Sequence, residues 1–207
     1  MDITWHGYSC FTIKTKGATV VVDPYKNDYG LKLTEKKADL LVNTGNFKDF
    51  FSDENVKGEP EVIDWPGEYE IKGVAFTVLK PEGEDGVVFT LVDENNLKLC
   101  FIERIGKALS EELIESIGDV DVLLVAVGGN KTTDAKLAHK IVEEIEPRCV
   151  IPMNYAVEGA TEKLDPADEF LKLVGATGKE PTDKYVLNSR SGLKEDATEY
   201  VVLKPQN

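Results

Sequence analysis

Side chains able to do covalent or metal chemistry are few in this chain and poorly spaced for it. The histidines are His6 and His139, and the cysteines are Cys10, Cys100 and Cys149. His6 and Cys10 stand four positions apart. On a regular strand they share a face but lie about 13 Å apart, too far for an imidazole to take a thiol proton, and Gly7 breaks the regularity. His139 falls at the edge of an apolar helical stripe, a boundary position. Ser9 and Ser110 have no base nearby in sequence, and Ser110 is explained as a helix cap. Among the carboxylates, Asp23 ends an apolar run and precedes Pro24. It is either a turn-initiating residue or a carboxylate that orients a neighbour. Asp49 lies in the stretch "ADLLVNTGNFKDFF", Ala38 to Phe51. There a strand-like run leads into a loop where an active site would present ligands or nucleophiles. The loop instead holds Gly45, Phe47 and Phe50 around Asp49.

The elements that must position these residues change character near residue 105. Before it, period-two and continuous apolar runs dominate: "ITWHGYSCFTI", "ATVVVDP", "DLLVN", "EVIDW", "EIKGVAFTVLK", "GVVFTLVD" and "LKLCFIE". They read as strands joined by short turns. After it, "LSEELIESIGD" has Ser110 as N-cap, acids in its first turn and Gly118 as terminator, the signature of a short helix. "DVDVLLVAVGG" reads as a strand buried on both faces. In "TTDAKLAHKIVEEIEP", Ala135, Ala138, Ile141, Val142 and Ile145 form one apolar stripe closed by Pro147. "CVIPMNY" is the next buried strand, so strand, helix and strand make a βαβ unit. "DPADEFLKLVG" is a further helix and "TEYVVLKP" a last strand. No linker or repeat divides the 207 residues, which predicts one domain.

Composition excludes several classes. Thirty-eight acidic against twenty-four basic residues give a net charge of −14, which repels phosphate backbones and anionic lipid at long range. No apolar run approaches the ~18 residues a membrane span needs, and the start "MDITWHGYSCF" lacks the features of a signal peptide. The expectation is a cytoplasmic protein with three buried, reduced thiols, no nucleic-acid partner and no membrane partner.

Four stretches go further than pattern: "ITWHGYSCFTIKTKGATVVVDPY", "ADLLVNTGNFKDF", "VIDWPGEYEIKGV" and "DVDVLLVAVGGNKTTDAKLAHKIVEEIEPRCVIPMNY". Together they resemble the metallo-β-lactamase superfamily, in its small cytoplasmic branch of ascorbate-6-phosphate lactonase-like and uncharacterised metal-dependent hydrolases. The resemblance spans essentially the whole chain, in order. It implies a four-layer αβ/βα sandwich, with two mixed β-sheets flanked by helices.

The resemblance also implies a one- or two-zinc centre, and here the sequence departs from it. The branch's Leu-Gly-His-Ser-Cys-Phe is His6-Gly7-Tyr8-Ser9-Cys10-Phe11, without the histidine in its usual place. Asp23-Pro24 matches. The branch's His-x-His-x-Asp-His loop is Gly45-Asn46-Phe47-Lys48-Asp49-Phe50, in which Asp49 alone matches. Its Pro-Met-His-Tyr is Pro152-Met153-Asn154-Tyr155, and its middle histidine has no counterpart where it would be expected. The expected pocket at these positions is Asp23, Gly45, Phe47, Asp49, Phe50 and Asn154, with no metal ligand set and no cofactor. Phenylalanine and glycine cannot bind zinc, and the aromatics would fill the volume that a metal and its imidazoles occupy. Asp49 reads equally as a residue favouring a helical turn in "DFFSDEN". Two functions follow. One is a protein of this fold that has lost the zinc-ligand histidines and binds a small molecule or a protein, with a homo-oligomer implied by analogy with the branch. The alternative is a metal-dependent hydrolase of a small phosphorylated or lactone-like substrate using an altered, oxygen-rich ligand set.

Overall fold

The computed structural model describes residues 1–45, 50–84, 86–130 and 132–206. In chain order it forms β1 (Asp2–Trp5), β2 (Phe11–Lys14), β3 (Thr19–Val22), β4 (Lys36–Lys37), β5 (Leu40–Val42), β6 (Val56–Lys57), β7 (Glu61–Ile63), β8 (Gly67–Ile71), β9 (Val74–Leu79), β10 (Val88–Val92) and β11 (Lys98–Ile102). These are followed by α1 (Glu111–Ile117), β12 (Val122–Ala126), α2 (Ala135–Ile145), β13 (Cys149–Met153), α3 (Asp168–Leu173), β14 (Tyr185–Val186) and β15 (Glu199–Tyr200).

Two sheets hold most of these strands. One has the order β14-β1-β2-β3-β5-β7 and the other β15-β13-β12-β11-β10-β9-β8, with β4 and β6 as a separate ribbon. Each sheet opens as an antiparallel meander and then turns parallel, at β3-β5-β7 in the first and at β11-β12-β13-β15 in the second. Alternation along β1 to β3 sends Ile3, Trp5, Phe11, Ile13, Val20 and Val22 into a core shared with Phe76, Phe89, Leu91 and Phe101 of the second sheet. The sheets touch through rings: Phe11 meets Phe101 edge-on at 6.4 Å, and Phe101 stacks on Phe89 at 4.9 Å.

Strands β11, β12 and β13 are buried on both faces because helices cover their outer side. The parallel connections through α1 and α2 cross on one side of the sheet, and α3 packs on α2. Ser110 caps α1 and accepts from Leu113 N, while Asp134 caps α2 and accepts from Leu137 N. The five stripe residues of α2 are all buried, and His139 sits at its boundary, 3.9 Å from Glu143. The sandwich expected from the resemblance is borne out. On the outer face of the six-stranded sheet, irregular chain and the β4–β6 ribbon cover Val21, Ala38 and Leu41, with Phe51 and Val56 packed on them. The chain between β3 and β7 lacks an apolar stripe of helical period, so its described residues form one 3-10 turn at Asn27–Tyr29 and no α-helix.

Two expectations need correction. "ITWHGYSCFTI" is not one strand. Gly7 (φ +98°) and Tyr8 (φ +51°) turn the chain, and His6 N donates to Cys10 O at 2.8 Å. His6 and Cys10 are therefore joined across a tight turn, not spread along a strand. "DFFSDEN" forms no helix in its described part, residues 50–55, because Phe51 pairs as an isolated antiparallel bridge with Tyr25.

Two glycines let strand ends approach more closely than a side chain would allow. A Cβ on Gly86 would meet Glu103 O at 2.0 Å, and one on Gly128 would meet Asn154 O at 2.2 Å. Both neighbours are backbone, which cannot step aside alone. Gly86→Ala and Gly128→Ala are each expected to cost about 1–3 kcal/mol, lowering Tm by roughly 3–10 °C in circular-dichroism melts. An unchanged Tm for both would contradict the close approach.

Candidate functional site

At one end of the sandwich the chain leaves four strands with side chains that converge. Asp23 follows β3, Thr44 lies just beyond β5, Glu103 follows β11 and Asn154 follows β13. Outside the carboxyl ends of parallel strands is where open α/β sheets gather ligands. Asp23 (φ +43°), Arg104 (φ +55°), Asn154 (φ +52°) and Tyr8 (φ +51°) all adopt the left-handed conformation that L-residues rarely take. Four such residues around one point mark where tertiary contacts override local preference.

The contacts are specific. Thr44 N donates to Asp23 Oδ1 at 2.8 Å, and Thr44 Oγ1 lies 2.5 Å from Asp23 Oδ2 and 3.2 Å from Glu103 Oε2. Asn154 Nδ2 donates to Glu103 Oε1 at 2.7 Å, and Arg104 Nε donates to the same oxygen at 3.1 Å. Ser9 and Glu103 both lie close enough to Asp23 to act on its carboxyl group. Asn154 N also donates to Tyr8 O, tying the β1–β2 turn to the end of β13. Asp23 and Glu103 are only 7% and 2% exposed. Burial, together with the Glu103 charge, pushes the Asp23 carboxyl up to about 8. Burial likewise raises Glu103, although Arg104 works against the rise.

Beside the carboxyl groups is a cluster of rings. Phe50 stands 5.1 Å edge-on from Tyr8, 5.8 Å from Tyr25 and 4.5 Å from Tyr29. Tyr8 hydroxyl donates to Tyr29 O at 2.5 Å and accepts from Thr161 N, and Tyr25 hydroxyl donates to His6 O. The His6 ring uses both nitrogens, donating from Nδ1 to Gln206 O and accepting at Nε2 from Thr12 Oγ1. Burial lowers its pKa to about 4, so the ring is neutral. Cys10 is fully buried and its thiol is pushed well above its ordinary range.

Of the six residues expected at the pocket, Asp23 and Asn154 meet through Glu103, Phe50 joins the rings, and Gly45 N accepts no ligand role but donates to Asn43 Oδ1. Phe47 and Asp49 lie outside the described residues. Glu103, Thr44, Arg104 and Tyr8 join the site without having been among the expected residues. The available signal was Glu103 itself, an acid closing the apolar run "LKLCFIE".

The described residues do not suit zinc. Zinc takes nitrogen, sulfur or carboxylate lone pairs at about 2.0–2.3 Å. Here the carboxylate oxygens already face N–H and O–H donors, Asn154 presents its amide nitrogen, and the Arg104 guanidinium sits on Glu103. No three His, Cys, Asp or Glu among the described residues are grouped to hold a metal ion.

Residues 2–154 match the family model described as Beta-lactamase superfamily domain. The chain is 26% identical to a UPF0173 protein of Pyrococcus abyssi, over 77% of this chain and 85% of that one. It is 25% identical to a UPF0173 metal-dependent hydrolase of Carboxydothermus hydrogenoformans, over 75% and 84%. Among solved structures, a metallo-β-lactamase superfamily protein of Thermotoga maritima superposes with a TM-score of 0.82 at 30% identity, covering 98% of both chains. A metallo hydrolase of Ignicoccus hospitalis shares the fold at 18% identity, with a TM-score of 0.68 over 100% of this chain and 96% of that one. No helix among the described residues is long and apolar enough to cross a membrane.

Among the described residues, Thr44 contacts both carboxyl groups through its hydroxyl. Thr44→Val keeps its shape and removes the hydroxyl, which should destabilise by about 1–3 kcal/mol, while Thr44→Ser should lose less. Urea unfolding decides it. A Thr44→Val variant as stable as the parent would remove the hydroxyl from the account.

Proposed function

Because this chain belongs to the metallo-β-lactamase superfamily, we propose that it is a member that does not act as a zinc hydrolase at the standard site. In this reading it keeps that end of the sandwich as a binding surface for a small molecule or a protein. One observation carries the reading. The oxygens that a metal would need are already held by Thr44, Asn154 and Arg104, and Ser9 and Glu103 lie close enough to act on Asp23. The rings of Tyr8, Tyr25, Tyr29 and Phe50 add to it, since they pack on one another beside the acids and Phe50 stands at a position where the family has a histidine. The net charge of −14 argues against nucleic acid as the partner.

The name metal-dependent hydrolase carried by relatives such as that of Carboxydothermus hydrogenoformans supports the second reading. In it, an altered oxygen ligand set including Asp23 and Asn154 would serve hydrolysis of a phosphorylated or lactone-like molecule. Magnesium or manganese would suit such a set better than zinc.

Elemental analysis of protein purified with neither added metal nor chelator separates the two, followed by calorimetric titration with zinc and manganese. The expected result is no stoichiometric metal and no saturable binding at about 1 mM manganese, with Tm unchanged by a chelator. A tightly held metal, or a Tm drop of several degrees on chelation, would overturn the first reading.

A further inference from the structure

We propose that the outer face of the first sheet carries a second binding site, in which Lys14, Lys36 and Lys37 take a small molecule bearing two or more oxyanion charges. The inference does not depend on what occupies the Asp23 end, because none of the residues that hold Asp23 and Glu103 lines this cleft.

Strand register builds the floor. Thr4 of β1 stands opposite Thr12 of β2, and Lys14 of β2 stands opposite Thr19 of β3. Alternation turns these side chains away from the core that takes Ile3, Phe11, Ile13 and Val20. The outer face of the sheet therefore has two halves. Over β3 and β5 it is apolar and covered by the β4–β6 ribbon, whereas over β1 and β2 it is polar and borders a cleft of about 680 Å³. Lys36 and Lys37 of β4 line the cleft from the ribbon, and Lys184 and Gln206 line it as well. The volume is that of a small-molecule site.

The charges around the cleft are paired unevenly. Its acids are each engaged: Glu35 faces Lys57 at 3.5 Å, Asp39 accepts from Lys72 at 2.7 Å and from Thr19 N, and Asp183 accepts from Gln206. Asp2, across the strand pair from Lys14, lies 3.4 Å from Lys184. Among the described residues, by contrast, Lys14, Lys36 and Lys37 form no ion pair with a carboxylate. Lys37 acts on Asp39 at longer range, and Lys36 donates to Thr34 Oγ1 at 2.7 Å while burial weighs against its charge. A chain of net charge −14 thus keeps three ammonium groups without ion-pair partners around one cleft.

That excess selects the ligand. Lysine binds oxyanions as a point charge, and two or more negative charges balance three ammonium groups better than one does. Among the described residues the Thr4 and Thr19 hydroxyls make no side-chain hydrogen bond, so both are available to donate to oxygen, while the Thr12 hydroxyl is taken by His6. The acidity of the rest of the molecule opposes approach only at long range, and about 0.1 M salt screens it beyond roughly 10 Å.

The test is calorimetric titration of the full chain, freed of metal by dialysis, with citrate and with pyrophosphate in about 0.1 M salt. At least one probe should bind saturably, one to one, in the millimolar range or tighter. Lys14→Gln and Lys36→Gln should each weaken that binding by about tenfold or more. Lys140→Gln, on α2 across the second sheet, should leave it unchanged. Binding of citrate alone supports the site as one for carboxylates, and binding of pyrophosphate alone supports it as one for phosphates. No saturable binding of either probe, or lysine variants that bind like the parent, would overturn the proposal. If a variant fails to fold, amide shifts of the parent in nuclear magnetic resonance decide. Shifts induced by the probe at Thr4, Lys14, Thr19 and Lys36 support the site, and shifts confined to Thr44 and Asn154 overturn it. A metal found at Asp23 would refute the functional reading and leave this site standing.

Discussion

Two carboxyl groups buried side by side, Asp23 from one sheet and Glu103 from the other, set the conditions for this end of the molecule. An ionised pair in an apolar interior is too costly to keep without compensation. The surrounding residues are arranged to supply it. Thr44 reaches both acids, Ser9 and Asn154 add neutral donors, and Arg104 brings a charge. Reaching that arrangement requires strand ends to turn left-handed at Asp23, Arg104 and Asn154, and requires Gly86 and Gly128 to let the backbone behind Glu103 and Asn154 come close. In this respect the site resembles a core more than a reaction vessel.

Much of the architecture was legible because burial leaves a periodic trace. The stripe of α2, its Asp134 and Pro147 surroundings, the doubly buried β12 and β13, and the Ser110 cap all follow from local rules that tertiary structure did not override. The misreading at residues 3–13 has an equally local cause. The apolar alternation continues through Gly7 and Tyr8 as if the strand did, and the short turn of Gly7, Tyr8 and Ser9 adds no change of period to betray it. Strands such as β14, with two residues and an exposed Val186, have no pattern to find.

The site was only half legible. Asp23 and Asn154 were picked out because they sit at motif positions of the fold, and Phe50 because an aromatic stood where a histidine was expected. Thr44 and Glu103 were not, because what matters about them is a contact between residues 59 positions apart, on different sheets. Composition and spacing carry no record of such a meeting. An acid at the end of an apolar strand is the faint trace it leaves, and the same trace is left by any strand that simply reaches solvent.

The central claim is that this end of the sandwich does not hold a catalytic zinc ion. It is tested most directly by an atomic-resolution crystal structure at pH 7 from crystals grown with zinc. The account predicts Asp23 held by Thr44, and Glu103 by Asn154 and Arg104, with no ion between the two carboxyl groups. An ion coordinated by both carboxylates would contradict it.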